Sequence, residues 1–140
     1  MPTMLILRGI KSLLDEPPAV EYAQERGYVG KVLEVSGEAF PGAPQVLAAL
    51  KAFRSDPDIA AFYGFSGGGY NVRHILNGLA PQEKARVKLV VVVGSPQNPS
   101  SLYEGPWELV YRLDPPTGHM LGPKSLLAEL RGAAGGPKEA

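Results

Sequence analysis

The sequence predicts an α/β protein, a three-layer αβα sandwich around a five-stranded, mainly parallel sheet in the order 2-1-3-4-5. Three observations carry that prediction. Short apolar runs alternate along the whole chain with segments of helical periodicity, and each connection is long enough for a crossover. The run Val87-Lys-Leu-Val-Val-Val-Val93 is rich in β-branched residues, as a central strand buried on both faces must be. A strand leads directly into a helix through Gly64-Phe65-Ser66-Gly67-Gly68, a Gly-x-Ser-x-Gly corner in the strand–turn–helix context that gives this otherwise weak pattern its meaning.

Met4-Leu-Ile-Leu7 is the first strand, wholly apolar and ending at Arg8-Gly9. Pro17-Pro18 opens a helix to about Arg26, since proline is tolerated in a first helical turn, and Gly27 closes it. Lys31-Val-Leu-Glu-Val35 alternates partly, as a strand near an edge does. After the loop Gly37 to Pro44, a second helix places Val46, Leu47, Leu50 and Phe53 on one face, and Ser55-Asp-Pro-Asp58 ends it. Ile59 begins the third strand. The helix from Gly67 to about Asn77 then turns Val72, Ile75, Leu76 and Leu79 inward. A polar turn around Gln82 to Arg86 precedes the fourth strand, Val87 to Val93, and the long irregular loop Gly94 to Pro106 follows it. Trp107 to Leu113 is the fifth strand, Asp114 to Gly122 a loop, and Pro123 to Arg131 a last helix burying Leu126, Leu127 and Leu130. Residues 1–131 therefore form one domain, and Gly132 to Ala140, with nothing to bury, a flexible tail.

Composition narrows the function. Lys+Arg and Asp+Glu number 14 each, so no basic field exists to attract nucleic acid or an anionic membrane. The chain has no cysteine, which removes disulfides, thiolate metal sites and a cysteine nucleophile, and fits a reducing, cytoplasmic setting. The N-terminus has no charged region ahead of a long apolar stretch, so it is expected to be a strand and not a signal peptide. No apolar run, Leu89 to Val93 included, exceeds five residues, far too short to span a bilayer. No His/Asp/Glu cluster has the spacing of a metal site, so no metal is expected.

With strand order 2-1-3-4-5, the direction of winding reverses between the first and third strands. Ligands of such sheets bind at the carboxyl ends of the strands at that point. Those ends carry Arg8-Gly9 and Ser66-Gly67-Gly68. Ser66 sits where a serine is forced into a strained backbone, with its hydroxyl above the sheet at the positive end of a helix. A serine nucleophile needs a base, an orienting acid and donors for an oxyanion. Of the two histidines, His74 lies two turns down the helix and is expected on its surface. His119 follows the fifth strand, at the same edge as Ser66, and is the available base; the alternative is an ordinary loop histidine. Between Ser66 and His119, Glu83 belongs to the opposite edge and Glu108 lies inside a strand. Asp114 is the first choice of acid, against a simple turn aspartate before Pro115-Pro116, and Glu104 is the second. Oxyanion donors would be the N–H of Gly67 and that of Gly9 or Ile10. Arg8 and Phe65 are candidate substrate contacts, although Arg8 equally suits a salt bridge or a solvated strand end, the commoner fate of such a charge.

The ordered set Leu7-Arg8-Gly9, Gly64-Phe65-Ser66-Gly67-Gly68, Asp114 and His119 resembles the α/β-hydrolase superfamily, in a minimal, capless esterase or thioesterase-like form spanning Met4 to about Arg131. The resemblance implies cleavage of a carboxylic ester, thioester or amide through an acyl-serine, without a cofactor; with no lid beyond the loop Gly94 to Pro106, a shallow site is expected, suited to a small-molecule acyl substrate or to an exposed ester on a larger molecule. The chain has Arg8-Gly9 where the family often has His-Gly. It is short, with neither the family's antiparallel N-terminal strands nor a cap, and it carries Asp114 and His119 on one loop instead of after two successive strands. A second class fits the same order of strands: a non-catalytic flavodoxin-like or degenerate hydrolase-fold module, holding a small anion at Gly67-Gly68-Gly69 or a protein partner.

Overall fold

The computed structural model describes residues 1–10 and 16–112. The sheet order is β2-β1-β3-β4-β5, with every neighbouring pair parallel. The strands are β1 (Thr3–Leu7), β2 (Val29–Leu33), β3 (Ile59–Phe65), β4 (Leu89–Val93) and β5 (Glu108–Arg112). Between them run α1 (Glu16–Glu25), α2 (Pro44–Ser55), α3 (Gly67–Gly78) and the single turn α4 (Pro81–Lys84). The fold class predicted from the sequence is the one observed.

Alternation along the strands sorts the core into two layers. Leu5, Leu7, Phe62, Val90, Val92 and Tyr111 face α2 and α3. Met4, Ile6, Tyr63, Val91, Val93 and Val110 face the other side, where Ala19, Tyr22 and Ala23 of α1 cover them. All five residues of β4 are buried, which explains why that strand is a continuous aliphatic run.

Several elements differ from their sequence expectation. β2 starts and ends two residues earlier than the alternation indicates, because its partner Thr3 of β1 pairs with Val29. The buried face of α2 is Gln45, Val46, Ala49 and Phe53, while Leu47 is 60% exposed and Leu50 only partly buried. A small alanine and an amide, neither of which an apolar pattern highlights, take buried places on α2. The polar turn after α3 is the helical turn α4, and a 3₁₀ turn (Ser100–Tyr103) interrupts the loop after β4. The predicted last helix and the tail lie outside the described residues.

Register brings the functional edge together. Leu7 lies opposite Gly64, Phe65 opposite Val93, and Val93 opposite Arg112. The chain therefore leaves β1, β3, β4 and β5 at one edge of the sheet. Ion pairs occupy other ground: Arg26 at the end of α1 reaches Glu108 at 2.6 Å, and Arg54 of α2 reaches Glu83 at 2.8 Å.

Candidate active site

Ser66 joins β3 to α3 with φ 56° and ψ −117°, and it is the single non-glycine residue with positive φ among the described residues. Such a conformation costs a side-chain-bearing residue about 1–3 kcal/mol and persists only when its surroundings over-determine it. Here they do. The Ser66 N–H donates to Val93 O at 2.9 Å, and the Ser66 carbonyl accepts from Ser95 Oγ at 2.7 Å and from the Tyr70 N–H at 3.2 Å. The glycines around the serine are sterically required. A Cβ on Gly64 would stand 2.5 Å from Gly68 O, and one on Gly68 would stand 2.2 Å from Leu7 O. The corner closes only because both backbones are bare.

The loop after β1 completes the neighbourhood. A Cβ on Gly9 would lie 3.2 Å from Ser66 Cβ, so the Arg8-Gly9 segment flanks the serine directly. The Gly67 N–H belongs to the first turn of α3, whose donors have no acceptor within the helix. Ile10 is exposed beside Gly9. Phe65 is only 3% exposed and packs with Met4, Ile6 and Val93, so its side chain is committed to the core and not open to a ligand. Asp114 and His119 lie outside the described residues; β5, which precedes them, ends at the Ser66 edge two strands, about 10 Å, from β3.

Two of the acids set aside on sequence grounds are occupied elsewhere. Glu108 holds Arg26. Glu83 accepts from Arg54 and from the Ala80 N–H, and the Arg54 guanidinium, chiefly, pulls its pKa down to about 2. Glu104 is exposed at the end of the 3₁₀ turn. His74 is half-buried, about 12 Å of helix from Ser66. It lines a cleft of about 230 Å³ with Ala39, Tyr70, Arg73, Gln97 and Asn98. Burial first, and then the neighbouring Arg73 charge, lower its pKa.

The loop after β4 proves to be a brace. Tyr103 Oη donates to Gly69 O at 2.9 Å and accepts from Asn98 Nδ2 at 3.2 Å, while Trp107 Nε1 donates to Tyr103 O at 2.7 Å. Tyr111 Oη donates to Asn98 O and lies 3.3 Å from Ser95 O. Burial raises the Tyr103 pKa to about 12, keeping it a neutral donor. On the opposite side, two buried amides, Gln45 and Asn71, bond to each other and to carbonyls of the loops after β1 and β2. Sequence reasoning missed both braces. The one available signal was a glutamine and an asparagine standing among apolar positions of two core helices.

Among the described residues no helix is long and apolar enough to cross a membrane, and no group of three His, Asp or Glu could hold a metal ion. No protein-family model and no curated protein matches this sequence. Among solved structures, the chain is similar to a Trichoderma reesei cutinase in complex with a C11Y4 phosphonate inhibitor, at 14% identity, with a TM-score of 0.58, over 91% of this chain and 74% of the cutinase. At that identity the likeness is one of fold: this chain shares its α/β architecture with the cutinase.

Proposed function

We propose that this protein is a serine hydrolase that cleaves a carboxylic ester or thioester through an acyl-serine. The observation that carries the reading is Ser66, held at φ 56° in a strand-to-helix corner with Gly9 packed against it. The fold it shares with a serine esterase supports the same class.

In this mechanism Ser66 Oγ attacks the acyl carbon as His119 takes its proton. The resulting oxyanion is held by the Gly67 N–H and an N–H of Gly9 or Ile10. Collapse breaks the C–O or C–S bond, and the leaving group takes the proton from His119. Water, deprotonated by His119, then attacks the acyl carbon, and collapse breaks the ester bond to Ser66, releasing the carboxylic acid as His119 returns the proton to Ser66 Oγ. Asp114 orients the imidazole and stabilises its charged form. Exposed Ile10, Phe40 and Leu102 stand on the loops after β1, β2 and β4.

The test is intact-mass labelling with a fluorophosphonate, chosen because the structural neighbour is solved with a phosphonate inhibitor. One adduct is expected on the wild type and none on Ser66→Ala or His119→Ala. A folded wild type that takes up no label would overturn the reading.

A further inference from the structure

Gln45 and Asn71 are both fully buried, on the faces where α2 and α3 meet the carboxyl edge of the sheet. Gln45 Nε2 donates to Arg8 O and to Val35 O, each at 3.0 Å. Gln45 Oε1 accepts from Asn71 Nδ2 at 2.9 Å, and Asn71 Nδ2 also donates to Glu38 O at 3.0 Å. Two side chains thus gather the end of β1, the loop after β2 and the third helix at one point. Burying two amides costs free energy unless their bonds are made, and an apolar side chain of similar size would fill α2's inner face without that cost. Asn71 Oδ1 has no partner among the described residues, so part of the cost stays uncompensated.

What the amides hold is specific. The Arg8 carbonyl and the Gly9 N–H belong to one planar peptide unit and, in the trans form, point in opposite directions. A donor that pins the oxygen therefore also sets the direction of the N–H. Packing leaves that oxygen little room: a Cβ on Gly37 would stand 2.1 Å from Arg8 O and 2.8 Å from Gly9 Cα, and one on Gly68 2.8 Å from Arg8 O. Gly9 in turn flanks Ser66 Cβ.

We infer that Gln45, keyed by Asn71, is a positioning residue for the β1 side of the oxyanion site. By fixing the Arg8–Gly9 peptide it aims the donor which that unit carries, the N–H of Gly9, toward an acyl oxygen held at Ser66. The inference rests on the serine-hydrolase reading, since it concerns where that reaction's oxyanion is received. Gln45 touches no substrate; it acts through the backbone of Arg8 and Gly9.

The experiment compares wild type, Gln45→Met and Asn71→Ser on p-nitrophenyl acetate, with fluorophosphonate labelling and a thermal melt for each. Gln45→Met keeps the volume of α2's inner face and removes both donors. Asn71→Ser frees the Gln45 amide oxygen while leaving every residue of α2 in place. A misaimed donor weakens only the transition state, so kcat should fall by roughly 10-fold or more in both variants while KM stays within about twofold. Variants that melt cooperatively and keep wild-type kcat overturn the inference and leave the hydrolase reading intact. Equal losses in kcat and in the fraction of folded protein, or failure of both variants to fold, make the amides merely structural and overturn it as well. A wild type without label or esterase activity overturns the hydrolase reading itself, and the inference with it.

Discussion

The Ser66 corner is held from two sides, and the two sides are built differently. Toward β1 and β2 the holding groups are amides on helices, Gln45 and Asn71, reaching carbonyls of Arg8, Val35 and Glu38. Toward β4 and β5 they are hydroxyls, Ser95 and Tyr103, reaching carbonyls of the corner itself, Ser66 and Gly69. An amide carries two donor hydrogens and an acceptor oxygen in one fixed plane, so it orients several segments relative to one another. A hydroxyl donates once and rotates freely, so it tethers one carbonyl without dictating the plane of the next peptide. The difference matches what each side has to place. The hydroxyl side secures a strained serine where it stands, whereas the amide side gives direction to a neighbouring backbone.

The comparison can be broken most severely at the close approach of the two sides. Gly68→Ala puts a methyl 2.2 Å from Leu7 O, where only backbone can yield, and should cost about 3 kcal/mol in urea unfolding. A loss below about 1 kcal/mol would show that the β1 side is slack.

Strain at the corner is the next lever. Ser66→Gly accepts φ 56° without penalty and should be about 1 kcal/mol more stable than Ser66→Ala, which keeps it. Equal stabilities of the two variants would mean that the corner stores no strain.

On the hydroxyl side, Ser95→Ala leaves the Ser66 carbonyl without its 2.7 Å donor and should cost about 1–2 kcal/mol. Slower fluorophosphonate labelling should accompany the loss; an unchanged labelling rate would reduce Ser95 to a packing residue.

Tyr103→Phe is expected to cost about 1 kcal/mol at neutral pH, and its pH dependence sharpens the contrast. Burial raises the Tyr103 pKa from 10.0 to about 12, so its stabilising share is fully present below pH 10 and is lost as pH rises from there through about 12. Urea melts at pH 9 and pH 11 should therefore fall further apart for wild type than for Tyr103→Phe, whereas no amide variant should change that interval.

The smallest effect belongs to a control remote from both sides. Glu83, at the other edge of the sheet, has its pKa lowered from 4.5 to about 2 by Arg54, so its contribution is present above 4.5 and fades as pH falls toward 2. Arg54 is exposed and Glu83 only partly buried, and Arg54→Ala should shift the acid-unfolding midpoint only slightly; a shift as large as that of Ser95→Ala would mean the ion pair is coupled to the core.

Much of the architecture was legible in the sequence because it is written between near neighbours. The apolar run Met4 to Leu7, the aliphatic run ending at Val93 and the helical spacing of Val72, Ile75, Leu76 and Leu79 each report a local burial pattern. The glycines around Ser66 report a local backbone demand, and the strand order follows from the connections. On those grounds alone the serine could be located at the switch between β1 and β3.

Leu47 shows where pattern misleads, since a leucine at helical spacing lies outward while Gln45, two residues before it, lies in the core. The braces were decided by tertiary structure only. Gln45 meets Arg8 across 37 positions, Asn71 meets Glu38 across 33, Ser95 meets Ser66 across 29 and Tyr103 meets Gly69 across 34. Each is a polar side chain satisfying a distant backbone carbonyl, and such a pairing has neither period nor motif. The sequence by itself determined that a serine would stand strained at this edge of a parallel sheet, because strand, corner and helix are encoded in consecutive residues. What holds that serine, and which way the peptide beside it faces, became determined only when buried groups from four separate segments had to find partners away from water.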